Sequence, residues 1–387
     1  MLDKAFLIKQ IKKLEKNLFL DTSKEELLAL QLWSTLCDDK DFLKKIKQCN
    51  NTPWPLPWWD NNLNSSYAIK NAPNQYGVLA IDGSQIYPDK HQGTNAFLIN
   101  TGTAALWYGI PSHGNSKEND TVKRTYFNTT PYFFAEEQSG QETDTPNNTD
   151  VVNAKREELE LRVGFDHFMM LKEWHPTLPL VLLLDGSLLF WHLESKEPRL
   201  KDYFFKKYCA LLQKYYQEQI PLCSYLSLPK GKDIIHLLYA HLSNYGHTIE
   251  NIKQIKSLND AHIIGSFLPE DNYSTIFECR SSLALEYPKE LQPHFIFINT
   301  VHELVRIEMP AYVVHNKDLF DVCCSVVLDQ IHKGNGYPVA LAEAHEQAVI
   351  TGSDRDFFYQ ILENFSIQEK HHKVLSQKAL KKKIMTI

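Results

Sequence analysis

The chain has 387 residues, 43% of them apolar and 12% aromatic, enough to bury a sizeable core in one elaborated domain or two ordinary ones. No run approaches the 18 apolar residues of a membrane span, which excludes a membrane-spanning class, and the amphipathic, lysine-rich start MLDKAFLIKQIKKLEKNL is no signal peptide, so a cytoplasmic protein without membrane contact is expected. The formal charge of −6 is wrong for a protein that coats nucleic acid unaided, and seven cysteines without a CxxC pair argue for reduced thiols and against structural zinc.

Charge is distributed unevenly. Six lysines and no acid fall between Lys370 and Ile387, leaving −12 on residues 1–369. This basic tail is either a solvated helix or a phosphate-contacting patch.

In chain order, residues 4–48 carry helical periodicity and end before NTPWPLPWWD, whose prolines forbid a continuous helix. From Tyr76 three strands are expected, YGVLAID, NAFLINTGTAALWYG and VKRTYFNTTPYFF, with polar loops at 112–120 and 136–150. A helix over about 151–173 follows, then the buried strand PLVLLLD, a helix from Leu200, the strand PLCSYLSLP, and a helix from Lys232. Strands are expected again near HFIFINT and PAYVVH, and PVALAEAHEQAVI opens a C-terminal helix. A meander of three strands joined to βα units makes an α/β mixed sheet flanked by helices, with an N-terminal helical extension. This order matches the ribonuclease H-like fold, in which the first strand lies beside the fourth.

That neighbourhood joins two stretches with the same ending, VLAIDGS at 78–84 and VLLLDGS at 181–187. The plain reading is two Asp-Gly turns, each glycine permitting an unusual backbone where a buried strand emerges. If the strands are neighbours, Asp82 and Asp185 converge, and paired carboxylates repel unless a cation or proton joins them. A third acid should come from the intervening helix. At about 100° per residue, Val152, Leu159, Val163 and Met170 line one edge of an apolar arc and Leu161, Phe165 and Phe168 the other. Glu160 falls near the middle, Glu157 lies inside the arc as a reserve, and Glu158 points to its far edge. Tyr337 and His345 follow in GYPVALAEAHEQA. Neither HEQAV nor HELVR is HExxH, and GxGxxG, GxxxxGK[ST] and GxSxG are absent, which removes the zinc-protease, common nucleotide-binding and serine-hydrolase readings.

Taken in order, LAIDGSQIYPD, REELEL, LLLDGSLLFW, SYLSLP, FECRSSLALEYP, VRIEMPAYV and YPVALAEAH resemble the NurA nucleases over about Tyr76 to Ile361. The resemblance implies a nuclease domain over residues 61–369, after an N-terminal helical segment and connector (1–60) and before the basic tail (370–387). It implies a manganese-dependent enzyme, with magnesium as the alternative ion, acting on DNA ends as a 5′–3′ exonuclease or single-strand endonuclease beside a hexameric HerA-type ATPase, in DNA repair or antiphage defence. Carried over by position, the metal ligands are Asp82, Glu160, Asp185 and His345, and Tyr337 completes the catalytic set. Together they would polarise the scissile phosphate through the bound ion and activate water. A homodimer docked on the ring is expected, with residues 1–48 or the tail as docking segments. Two other readings remain: a non-catalytic subunit of the same fold that docks or regulates a DNA translocase, and a ribonuclease H-like enzyme acting on RNA or branched DNA.

Overall fold

A computed structural model describes residues 2–18, 21–49, 52–89, 95–110, 122–133, 148–246 and 251–368. The basic tail, the loop expected at 112–120 and residues 136–147 of the loop expected at 136–150 lie outside these residues, and the expectation for 148–150 is corrected, since those residues open a helix. The N-terminal periodicity resolves into three helices, α1 (Lys4–Leu18), α2 (Ser23–Asp38) and α3 (Phe42–Gln48). The Pro/Trp connector leads into two short strands, β1 (Trp58–Trp59) and β2 (Ser66–Ala68).

The meander follows as β3 (Tyr76–Ile86), β4 (Ala96–Tyr108) and β5 (Val122–Phe133), then helix α4 (Asn148–Trp174) and β6 (Leu180–Asp185). Next come α5 (Pro198–Gln217), β7 (Leu222–Leu226), α6 (Asp233–Leu242), α7 (Asp260–Ile264), β8 (Asn272–Ser274) and β9 (Phe277–Glu278). The chain continues through β10 (Pro293–Asn299), β11 (Leu304–Pro310), α8 (Ala311–His315), α9 (Lys317–Lys333), α10 (Val339–Ala348) and α11 (Gly352–Gln368). The strand expected near PAYVVH is corrected: the strand is LVRIEMP, and AYVVH is a short helix started at Pro310. The single C-terminal helix is two helices, α10 and α11.

Among the described residues the main path of the sheet runs β1-β9-β10-β11-β7-β6-β3-β4-β5. The first meander strand pairs parallel with the fourth strand of the series, β3 with β6, and Ile81 stands opposite Leu184. This is the ribonuclease H-like neighbourhood. Val78 to Ile81 and Leu180 to Leu184 are buried because helices cover both faces of these central strands. Side chains alternate between faces. Ile81 and Gly83 face α4, while Asp82 faces α10.

Two helices are fixed in register by polar hooks. On α5, Tyr208 donates to the Ala154 carbonyl (2.6 Å) and Tyr215 to the Leu161 carbonyl (2.7 Å), so a seven-residue spacing on α5 matches one on α4. Each buried hydroxyl is satisfied and contributes about 1 kcal/mol net. Helix α10 is held at both ends. Buried Gln330 accepts from the Ala340 amide (3.1 Å), Asn100 donates to the Gln347 and Ala348 carbonyls (3.1 and 2.9 Å), and Ser84 donates to the Ala348 carbonyl. Gly102 lets the last turn of α10 settle on β4, since a methyl group there would overlap the backbone of Ala344 to Ala348.

Candidate active site

The two aspartates stand level on adjacent parallel strands, but in different settings. Asp185 is the last residue of β6, and Gly186 follows at φ +94°, a left-handed conformation that glycine adopts without penalty. Asp82 is not at a strand end, because β3 continues to Ile86. Gly83 is an ordinary strand residue. The expectation of an unusual turn there is corrected: glycine is required because a side chain at 83 would overlap Glu160 Oε1.

Helix α4, held by Tyr208 and Tyr215, presents Glu160 beneath Gly83. Its Oε1 is closed off from solvent and accepts no hydrogen bond; Arg156 Nε lies 3.2 Å away but is not aligned to donate. Burial, reinforced by Glu157, Asp82 and Asp185 and opposed by Arg156, pushes the Glu160 carboxyl up to about 8. Asp185 is raised by burial and by Asp82. Asp82 Oδ2 lies 2.7 Å from His345 Nδ1, and its Oδ1 accepts from the Gly83 amide at 2.7 Å. Tyr337 donates to Asp185 Oδ2 at 3.3 Å, and its ring meets Tyr225 edge-on.

The structure therefore brings Asp82 together with His345 on the α10 face, Asp185 together with Tyr337 beside them, and Glu160 up from the α4 face. Glu157 stands apart, 3.3 Å from His192 Nδ1, and burial pushes it up to about 7. Glu158 is buried and salt-bridged to Lys155 (2.8 Å) and Lys207 (3.5 Å), so burial on this helix does not by itself mark a carboxylate facing the aspartates.

Three carboxylates and an imidazole suit a hard divalent cation chemically. The buried Glu160 Oε1, which accepts no hydrogen bond, and the mutual repulsion of the acids fit the same ion. Among the described residues no group of three or more such side chains is arranged to hold a metal; Arg156 pairs with Glu160, His345 with Asp82, and Tyr337 with Asp185. Metal entry would have Glu160 leave Arg156. A polar cavity of about 870 Å³, lined by Tyr76, Tyr108, Asp329 and Lys333, lies at the other end of β3 and plays no part in this cluster; Tyr76 is six strand steps from Asp82, about 20 Å.

Sequence reasoning missed a buried ionic chain behind Asp185. Glu308 Oε2 accepts from the Ser187 hydroxyl (2.7 Å) and the Leu188 amide (2.8 Å), and its Oε1 accepts from Arg306 Nε (2.8 Å). Arg306 continues to Asp233 (2.6 Å). The Asp260 carboxyl accepts from the Ile234 and Ile235 amides, and burial, then Asp233, pushes it up to about 7. The available signal was the pair Arg306 and Glu308, two apart in an otherwise apolar strand and so on one face.

These features define an α/β protein of ribonuclease H-like topology with an acidic cluster across its two central parallel strands. A search of curated proteins finds no match. The family model described as the NurA domain matches residues 76–350, most of the chain, and the chain belongs to the NurA nuclease family. No helix among the described residues is long and apolar enough to cross a membrane.

Proposed function

We propose that the chain is a divalent-metal-dependent DNA nuclease whose metal is held by Asp82, Glu160, Asp185 and His345. The observation that carries this reading is the Glu160 carboxyl beneath Gly83, whose buried Oε1 accepts no hydrogen bond and whose pKa is raised by burial and, beyond that, by neighbouring acids that include Asp82 and Asp185. Such a cluster is best relieved by a cation, and its imidazole shifts the preference from Mg²⁺ toward Mn²⁺. When bound, the ion supplies phosphate polarisation and a more acidic water. The protein's own groups bind and orient. Asp82 and Asp185 give a rigid pair because their strands are hydrogen-bonded to each other. His345, largely exposed on α10, can take or deliver a proton, and Tyr337 can donate to a phosphate oxygen or stack on a base once released from Asp185.

A net charge of −6 gives little non-specific attraction for duplex DNA, so another component must hold and deliver the strand. A hexameric HerA-type ATPase, with this chain docked as a homodimer, supplies that role in DNA end resection or antiphage defence. A monomer in light scattering of the isolated protein would contradict the dimer.

The nuclease reading is tested with end-labelled single- and double-stranded DNA in Mn²⁺, Mg²⁺ or EDTA. Cleavage in Mn²⁺ that EDTA abolishes is the expected result. A folded protein that cuts neither substrate with either ion would instead be the non-catalytic, translocase-docking subunit.

A further inference from the structure

We propose that Glu308, held in place by Arg306, is a positioning residue that sets the loop carrying Asp185 and thereby the metal affinity of the site. The inference rests on the nuclease reading above and adds to it a part of the molecule that touches neither metal nor substrate.

The segment that follows Asp185 needs outside support. Asp185 ends its strand, and the chain turns at once through a left-handed Gly186, a conformation that leaves the loop few ladder bonds. The Gly186 amide donates to the Tyr225 carbonyl (3.0 Å), which is the last bond to β7. Beyond it the loop depends on Glu308. One carboxylate oxygen receives both the Ser187 hydroxyl and the Leu188 amide, and Ser187 Oγ in turn accepts from the Leu189 amide (3.0 Å). Tyr287 closes the far side, donating to the Leu188 carbonyl (2.9 Å).

Glu308 can do this only from where it stands. Its strand, β11, is separated from β6 by β7, and the residue level with both Glu308 and Leu184 is Ser224, whose small side chain leaves the carboxylate room to cross. A buried carboxylate is costly unless paired and hydrogen-bonded. Arg306, two residues away on the same face, provides the pairing and is itself tied to Asp233 on α6. The Arg306 guanidinium also lies against the Phe295 ring, 3.7 Å from its centroid, which limits its movement. The Asp185 loop is thus connected through fixed side chains to the helical layer instead of resting on its own turn. Partners that orient metal ligands from behind commonly govern affinity by about 10- to 100-fold.

The test measures Mn²⁺ affinity of the full chain by calorimetry without DNA, with thermal melting and cleavage kinetics alongside. Glu308→Gln keeps the shape but removes one of the two carboxylates paired with buried Arg306, so it can fail to fold. Ser187→Ala removes one hydroxyl from a half-buried position and keeps the test decisive. Ser187→Ala is expected to weaken Mn²⁺ binding about 10-fold, with near-normal melting and with cleavage restored at saturating Mn²⁺. Ser187→Thr, which retains the hydroxyl, should bind Mn²⁺ as the wild type does. A lower melting temperature with unchanged Mn²⁺ affinity in Ser187→Ala would reduce Glu308 to a purely structural role and overturn the proposal. Asp185→Ala separates the two readings. If it loses Mn²⁺ binding while Ser187→Ala and Glu308→Gln keep it, only the positioning role falls. If Asp185→Ala also binds Mn²⁺ as the wild type does, the nuclease site itself is wrong.

Discussion

Asp82-Gly83-Ser84 and Asp185-Gly186-Ser187 share three letters and little else. In the first, the backbone is an unbroken strand, glycine is needed so that Glu160 can approach, and serine binds the end of α10. In the second, the strand stops, glycine supplies a left-handed turn with nothing within 4 Å of its missing side chain, and serine is held by buried Glu308. Only the aspartates share a placement, because the strands are parallel neighbours in register. A short motif acquires its meaning from the element that carries it.

The largest effect that would break this comparison belongs to the aspartates. Asp82→Ala and Asp185→Ala should each lower Mn²⁺-dependent cleavage by more than about 100-fold, beyond the range for groups that only support ligands. Each should leave a folded protein, since removing one carboxylate relieves repulsion. Circular dichroism with a cleavage assay checks both, and near-normal cleavage in either variant would contradict a shared role.

Next in size is the glutamate. Glu160→Gln should cost most of the activity, whereas Glu158→Gln, whose parent is paired with Lys155 and Lys207, should mainly cost stability. Equal catalytic loss in both would mean that the orientation of α4 is wrong.

The glycines sharpen the contrast further. Gly83→Ala should weaken Mn²⁺ binding by displacing Glu160 while the strand persists. Gly186→Ala should cost about 1–2 kcal/mol of stability through backbone strain and leave the reacting groups in place. Chemical denaturation beside Mn²⁺ calorimetry reads both, and the opposite pattern would exchange the roles assigned to the two residues.

The smallest effect is the pH dependence of the metal-free protein. Glu160 and Glu157 are raised from 4.5 to about 8 and about 7, and Asp185 is raised as well. The folded state therefore holds more protons than the unfolded chain across this interval, and stability is lost as pH rises from about 4.5 to about 8. Mn²⁺ should flatten that slope by taking the place of the protons. Denaturation midpoints measured in EDTA that rise over the interval would show that these acids are not strained by burial.

The meander, the parallel pairing of β3 with β6 and the level aspartates were legible in the sequence because apolar runs mark strands buried on both faces and glycine follows each aspartate. The strand LVRIEMP was not legible. Arg306 and Glu308 break its apolar run, and their compensation lies 73 and 121 residues away in sequence, at Asp233 and Ser187. The β-branched AYVVH looked like the better strand, yet Pro310 starts a helix there. Glu160 was marked by its place on the helical arc, but the reason for Gly83 was not, since a close approach across two elements leaves no local pattern.

If the two DGS aspartates are halves of one metal-dependent site, neither works without the other. That dependence is tested most directly by comparing Mn²⁺-dependent DNA cleavage in Asp82→Ala, Asp185→Ala and the double variant. Residues acting as one unit are strongly non-additive, so the double variant should be no slower than the slower single variant. Losses that multiply would contradict the account and place the two aspartates in separate roles.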